Sequence, residues 1–282
     1  MSAASLRIGD ATFTRVLLAD APVPGEVVGL TPDAIAAVPW ADETFVEGDQ
    51  VRVGVAIWVV EIGDRRIVLD PMQAADAFLR ADPETEAAIQ LQVDALMTEA
   101  GFPPESIDTV ALTHIDNVGM VARSAGTAWT PFFPNAEVRL SSTELATFAE
   151  GAPQVDAEAD PGSALVVAAW RALIEAGVVV TYEDGEELAP GLRAEVSGGH
   201  QAGHAVLHYT PAGDAPALSF IGHLAVSPLH LATGPCAPLN EDPARAFELL
   251  GAVAADGRLL VGPLWPSPGF GRWEGGRFTA AA

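Results

Sequence analysis

Lysine is absent from the 282-residue sequence, so no side chain can form a Schiff base with a carbonyl substrate. All 14 basic residues are therefore arginine, set against 38 acidic ones, and the formal net charge is -24. So little positive charge opposes sequence-independent binding to nucleic acid, where basic side chains must replace phosphate counterions. It opposes docking on anionic lipid for the same reason. A single cysteine, Cys236, excludes an internal disulfide and a thiolate cluster for zinc. It is read as a small buried or loop residue rather than a nucleophile. No run of about 18 apolar residues occurs, so no membrane-spanning helix is expected. Residues 1–16 are interrupted by Arg7, Asp10 and Arg15 and lack an apolar h-region, so no signal peptide is expected. A soluble, cytoplasmic, acidic protein is the expectation.

What is present is enough for a core. Apolar residues make up 49% of the chain and charged ones 18%, which excludes disorder. No repeat, low-complexity block or linker divides the sequence, which reads as one domain over residues 1–282. Residues 1–50 read as an irregular lead-in, with Pro22, Pro24, Pro32, Pro39, Asp42 and Glu43 crowding residues 20–50. Two β-rich runs, Val53–Glu61 and Arg65–Leu69, flank a Gly63-Asp64 turn and predict a hairpin. Asp82-Pro83 opens a helix that Gly101 closes, with Ile89, Val93, Leu96 and Met97 on one face. Thr109–Thr113 is a short apolar strand. Ser141 and Glu144 have capping-box spacing and start a second helix. Ala164–Ala176 forms a third, and Asp242-Pro243 caps a last one that ends near Gly257. Val178–Tyr182, Ala205–Tyr209, Leu218–Ile221 and a final Leu259–Val261 read as strands. Strands interspersed with helices predict an α/β (α+β) fold with layered sheets.

All six histidines fall between His114 and His230. His114 and Asp116 follow a strand at alternate positions, so their side chains can converge at its end. His200 and His204 sit in a glycine-bounded turn, and His223 follows Gly222 at the end of another strand. Histidine and aspartate gathered at strand ends are the ligand types of zinc, iron or manganese. A lone histidine beside glycine, by contrast, is more often a hydrogen-bonded loop residue.

In order along the chain these segments resemble the metallo-β-lactamase fold superfamily, in the branch of methyl parathion hydrolase and related lactonases. Leu112-Thr113-His114-Ile115-Asp116-Asn117-Val118-Gly119 aligns without a gap to the family's His-x-His-x-Asp-His-x-Gly. Gly199-His200-Gln201-Ala202-Gly203-His204 matches its Gly-His-Thr-Pro-Gly-His turn, and Phe220-Ile221-Gly222-His223 matches a strand ending Gly-Asp. Leu264-Trp265-Pro266-Ser267-Pro268-Gly269-Phe270-Gly271 matches the branch's His-x-Pro-Phe-Pro-Gly-x-Gly. Phe133-Pro134-Asn135-Ala136-Glu137-Val138 is similar to the segment that follows the first motif. The resemblance covers nearly the whole chain and implies a single-domain, four-layer αββα sandwich with its site at the sheet edges. It also implies a homodimer.

The same alignment implies a degenerate metal motif. Two ligand positions of the family's two-metal centre are Leu112 and Leu264, which cannot coordinate, and a third is Asn117. The bridging aspartate is His223. What remains is His114, His204 and His223 as metal ligands, with Asp116 as a fourth ligand or general base. A dinuclear centre is not expected. Three readings stay open for this pocket. In the first, one divalent metal (zinc foremost, then iron or manganese) activates water to attack a small apolar ester, lactone or thioester, with Asp116, His223 and His114 as the catalytic set. In the second the pocket holds no metal and works as a lyase, isomerase or cyclase by His/Asp acid–base chemistry. In the third the metal site has decayed, leaving a non-catalytic binder of small molecules. The substrate pocket is expected to be lined by Asn117, Trp265, Trp129 and Phe133, and Phe132 flanks the same face. His200 is read as a supporting turn residue, His208 as a sheet-face or surface residue, and His230 as a solvated loop residue. Asp70 is read as structural support.

Overall fold

The computed structural model describes residues 4–71, 83–115, 119–125, 128–156, 160–235 and 239–281. Among these, the first sheet contains β1 (Ala4–Ile8), β2 (Ala11–Pro24), β3 (Val46–Glu47), β4 (Gln50–Ile62), β5 (Arg65–Leu69) and β6 (Thr109–Ala111). Past a separate hairpin of β7 (Ala122–Ala125) and β8 (Ala128–Pro131), it is completed by β9 (Glu137–Ser141) and β10 (Val179–Tyr182). Its order is β1-β2-β4-β5-β6-β9-β10, with β3 beside β4. The second sheet runs in chain order: β11 (Glu187–Ala189), β12 (Leu192–Val196), β13 (Ala205–Tyr209), β14 (Leu218–Phe220), β15 (Leu259–Val261), β16 (Phe270–Glu274) and β17 (Arg277–Ala280). The helices are α1 (Pro32–Ala36), α2 (Pro83–Glu99), α3 (Ser142–Gly151), α4 (Pro161–Glu175), α5 (His230–Thr233) and α6 (Pro243–Ala255).

Strand alternation builds the layers. Successive residues of a strand point to opposite faces, and β4 is apolar at both sets of positions. Trp58, Val60 and Ile62 pack between the sheets against Leu207, Tyr209 and Phe220. Ile57 and Val59 point outward to Val93 and Met97 of α2 and to Ala169, Trp170 and Leu173 of α4. The second sheet repeats the pattern on β15. Leu259 and Val261 face inward, whereas Leu260 meets Leu250, Val253 and Ala254 of α6. The result is the expected αββα sandwich.

Topology then sets where chemistry can gather. β5, β6, β9 and β10 pair in parallel, as do β14 and β15. Parallel neighbours need crossovers: α2 lies between β5 and β6, the β7–β8 hairpin between β6 and β9, α3 and α4 between β9 and β10, and α5 and α6 between β14 and β15. The carboxyl ends of β5, β6, β9 and β14 therefore open together, the position at which open α/β sheets bind ligands.

Several sequence expectations change. Residues 1–50 are not an irregular lead-in, since β1 is the edge strand of the first sheet and β2 lies between it and β4. Beyond them, Val28, Leu30, Ile35, Val38, Trp40 and Phe45 are buried in the cluster that covers the second sheet. Prolines here mark turns between apolar anchors. Leu259–Val261 is not the last strand, because the β16–β17 hairpin follows it. The predicted hairpin around Gly63-Asp64 is present as β4–β5. Asp82 lies outside the described residues. No helix among the described residues is long and apolar enough to cross a membrane.

Two buried polar side chains tie distant segments together. Arg15 on β2 is 2% exposed and donates to the carbonyls of Gly54 (3.1 Å) and Trp265 (2.7 Å) and to Ser267 Oγ (2.8 Å). Burial pulls its guanidinium down to about 10, still charged at neutral pH. His230 is not solvated but 1% exposed. Its Nε2–H donates to the Val28 carbonyl at 3.0 Å, while Nδ1 accepts from Ser227 N–H at 3.3 Å. The ring is thus held neutral, and burial lowers its pKa to about 4 from 6.5.

A folded-state pKa below the unfolded value means that the unfolded chain binds the extra proton. The His230 contribution is therefore complete above about pH 6.5 and is lost as pH falls towards about 4. We expect the stability gap between the wild type and His230→Leu, measured by urea unfolding, to narrow by about 3 kcal/mol from pH 7 to pH 4. A gap independent of pH would contradict this assignment.

Candidate functional site

The site is built from the residues that follow the strands. Past β5, Asp70 adopts a φ of +32°, a conformation that costs a non-glycine residue about 1–3 kcal/mol. Its buried carboxylate accepts from Thr113 N–H at 2.7 Å and from the Thr113 hydroxyl. With that hydroxyl proton committed to Asp70, Thr113 Oγ1 accepts from His114 Nδ1–H at 2.8 Å. The Asp70–Thr113–His114 chain thereby leaves the lone pair of His114 on Nε2. It also explains why β6 stops at Ala111 and does not reach Thr113: the Thr113 N–H pairs with a side chain instead of a strand.

Two further buried groups hold the same loop. Ser141 caps α3 by accepting from Glu144 N–H at 3.0 Å, as its position predicts. The Glu144 carboxylate, however, does not close the capping box. It accepts from Ile115 N–H at 2.9 Å, fixing the residue after His114. The Tyr182 hydroxyl donates to the Leu112 carbonyl at 2.7 Å, two residues before it. Burial, with the charges of Asp70 and Glu144, pushes that phenol well up and keeps it a donor.

The histidine turn is wedged between two helix starts. A Cβ on Gly203 would lie 2.2 Å from Glu144 N, and one on Gly199 would lie 2.9 Å from the Ala246 backbone. Only glycine allows such approach. The carbonyls of Gly199 and His200 accept from Asp242 N–H and Glu241 N–H, each at 2.9 Å. His200 Nδ1 lies 3.1 Å from Asn240 Oδ1, and His204 Nδ1 lies 3.2 Å from Ser197 Oγ. Opposite the turn, Gly222 has a φ of +54°, and His223 sits at φ -91°, ψ 16° in a short 3-10 turn after β14.

These elements gather four buried imidazoles. The His114 ring centroid is 4.5 Å from His200, 4.7 Å from His223 and 5.4 Å from His204. His200 lies 5.3 Å from His223 and 5.6 Å from His204. One nitrogen each of His114, His200 and His223 falls within 4.8 Å of the other two. Burial, then mutual repulsion, holds His114 and His204 well below the usual histidine range. Both are neutral, and their buried Nε2 atoms have no hydrogen-bond partner. Imidazoles that bring nitrogens together, as His114, His200 and His223 do, suit a borderline divalent cation.

Of the residues singled out by sequence, His114, His204 and His223 meet here. His200, read as support, stands among them. Asp116 and Asn117 lie outside the described residues, as does Cys236. Trp265 is not a pocket wall. It is 1% exposed, its indole N–H donates to the Ala225 carbonyl at 2.9 Å, and it packs edge-on to Phe278 in the core. Phe133 is likewise 1% exposed in the core behind β6, with Phe132 beside it. Trp129, half-buried on β8, packs on that same cluster. Leu264 is buried with Trp265 in the cluster over the second sheet. His208 is a sheet-face residue, bonded to Ser219 and Glu195. Glu144, Tyr182 and Asn240 were not foreseen. Only Glu144 carried a signal, and it suggested a cap.

No protein-family model matches the sequence, and no curated protein matches it by sequence. The three-dimensional structure does find relatives. It superposes on hydrolase AbOPH of the β-lactamase superfamily with a TM-score of 0.73 at 21% identity, covering 99% of this chain and 97% of that one. AidC, a dizinc quorum-quenching lactonase in complex with a product, gives 0.73 at 15% identity over 99% and 97%. An N-acyl homoserine lactone hydrolase with N-hexanoyl-L-homoserine at its catalytic metal centre gives 0.52 at 11% over 92% and 94%. The chain has the metallo-β-lactamase fold.

Gly222 is another tight point of this geometry. A Cβ there would lie 2.5 Å from both His204 Nε2 and Thr113 Oγ1, on a backbone that disfavours side chains. Gly222→Ala is expected to lower stability by about 3 kcal/mol in chemical denaturation. An unchanged midpoint would show that the loops are slacker than described.

Proposed function

We propose that this chain is a hydrolase with a single divalent metal ion, acting on a small apolar ester, lactone or thioester. The observation that carries this reading is the group of four buried imidazoles at the carboxyl ends of the parallel strands. The fold relatives support it: one is a hydrolase, one a dizinc lactonase, and one holds its lactone product at a catalytic metal centre. Zinc is the first candidate, with iron and manganese next. Leu112, Leu264 and Asn117 stand where a second ion would need ligands, so the reading is mononuclear. The chain acts as one domain, with residues 1–50 part of it.

An ion held there would polarise a substrate carbonyl and acidify water to a pKa of about 7. The protein's own residues prepare for this. Asp70, through Thr113, keeps His114 in the tautomer that offers Nε2 inward. Asp70 lies two hydrogen bonds behind His114, through Thr113, and Glu144 holds the next residue's N–H, so two buried carboxylates partly replace the anion lost where His223 stands. Asp116, two residues after His114, takes the general-base role, and His114 and His223 hold the reacting centre. Without lysine, a covalent imine route is closed.

Protein purified without added metal is expected to carry about one equivalent of zinc, iron or manganese by elemental analysis, consistent with one three-imidazole site. Chelation should abolish hydrolysis of an aryl ester or an N-acyl lactone, and one added equivalent should restore it. Binding of no ion even after reconstitution, with activity that survives chelation, would establish the metal-free acid–base reading instead.

A further inference from the structure

We propose that a groove at the far edge of the first sheet binds an aromatic amine, a molecule that joins an aromatic ring to a protonated nitrogen. The groove encloses about 390 Å³, within the roughly 300–1,000 Å³ typical of small-molecule sites. Asp94 of α2, Glu105 ahead of β6, Arg123 of β7 and Phe132 just after β8 line it. It lies at the amino ends of β6 and β9, whereas His114 follows the carboxyl end of β6. The groove is thus separate from the imidazoles.

Arg123 supplies the seat for the ring. Its guanidinium carbon lies over the buried Phe132 ring, 4.5 Å from the centroid. The same side chain pairs with Asp94 at 2.7 Å, yet 33% of it stays exposed. A guanidinium is planar and stacks on aromatic faces. With Phe132 on one side, a ring entering the groove can cover the other and desolvate the cation between two π faces. Pro104, Pro131 and Pro134 add apolar walls whose φ is already fixed, so little freedom is lost on binding. The Asn135 side-chain amide donates to the Glu105 carbonyl at 2.7 Å and ties together the loops ahead of β6 and β9. Leu91, three residues before Asp94 on the same face of α2, is 68% exposed and continues the apolar surface.

Charge then selects among aromatic ligands. Two carboxylates, Asp94 and Glu105, meet one guanidinium in the groove, which is therefore net negative. The chain's net charge of -24 extends that field outward and raises the local concentration of cations. An aromatic carboxylate could reach Arg123 only by displacing Asp94, and it would meet Glu105 as a like charge. An aromatic amine leaves the Arg123–Asp94 pair intact and gains Glu105 as a partner.

The test is calorimetric titration of the full chain with 2-phenylethylammonium. Two controls each lack one feature: 3-phenylpropionate reverses the charge, and 2-cyclohexylethylammonium removes the π face. The aromatic amine should bind one site with a Kd below about 1 mM, more weakly at high salt and equally well after chelation. Each control should bind about 10-fold more weakly or not at all. Glu105→Gln and Arg123→Ala should each weaken the amine by about 10-fold, with unfolding midpoints establishing that both are folded. Glu105 is exposed, so its variant keeps the test open should Arg123→Ala not fold. Absence of saturable binding would overturn the site, and so would a control that binds as tightly as the aromatic amine. Binding that persists unchanged in both variants, or that chelation abolishes, would put the amine elsewhere on the chain and overturn the proposal as well.

Discussion

The pair of hydrogen bonds from Thr113 to Asp70 decides where strand β6 ends, and the site follows from that ending. Without a side-chain acceptor for the Thr113 N–H, the strand would run on beside its neighbours and His114 would lie within the sheet. Asp70 prevents this by leaving β5 with a positive φ, turning its carboxylate across to the adjacent strand end. A strained backbone is tolerated because the carboxylate satisfies two buried donors at once. Glu144 and Tyr182 then fix the residues on either side, through Ile115 N–H and the Leu112 carbonyl. Four residues of loop are held by three side chains from three different segments. Such a loop presents His114 as rigidly as a strand would.

That rigidity has an electrostatic counterpart. Four imidazoles in one buried space cannot all carry protons, and His114 and His204 are held neutral by burial and by their neighbours. Neutral rings repel each other weakly and can lie 4.5–5.6 Å apart, as most of these pairs do. They also offer lone pairs that water does not reach. The negative charge at this edge comes from Asp70 and Glu144, each engaged with backbone N–H groups rather than with a histidine. A cation at the centre would meet neutral ligands first, with the carboxylates behind the loop that carries His114. That order favours binding with less loss of positive charge than direct carboxylate ligation, and so preserves the Lewis acidity of the ion.

The parts legible in the sequence were those with a local cause. The hairpin at Gly63-Asp64, the caps at Ser141 and Asp242 and the apolar strands from β13 to β15 each depend on residues within one turn or one strand. The four layers were legible through motif order, which survives although no curated protein matches by sequence. The N-terminal segment was not legible, because its prolines and acids resemble a surface loop until Val28, Leu30, Trp40 and Phe45 are seen against the second sheet. His230 was misread for the same reason, since its acceptor, the Val28 carbonyl, lies 202 positions away. Trp265 looked like a substrate wall because it adjoins Leu264. What places it in the core is the hydrogen bond to Ala225 and the ring of Phe278.

The turn from Gly199 to His204 is set by glycines that touch Glu144 and Ala246, so both histidines occupy fixed points whatever the ligands are. The end of β14 meets this turn. There, His223 carries a ring at the close of β14, 5.3 Å from His200, while the backbone of Gly222 rests on His204. The Leu264 main chain is meanwhile held by Gly54 N–H, and the next carbonyl by Arg15, so that the segment closes over the second sheet through its backbone and apolar side chains alone. That closure leaves the imidazoles to the turn and the strand ends, where His114, His200 and His223 bring one nitrogen each within 4.8 Å of one another.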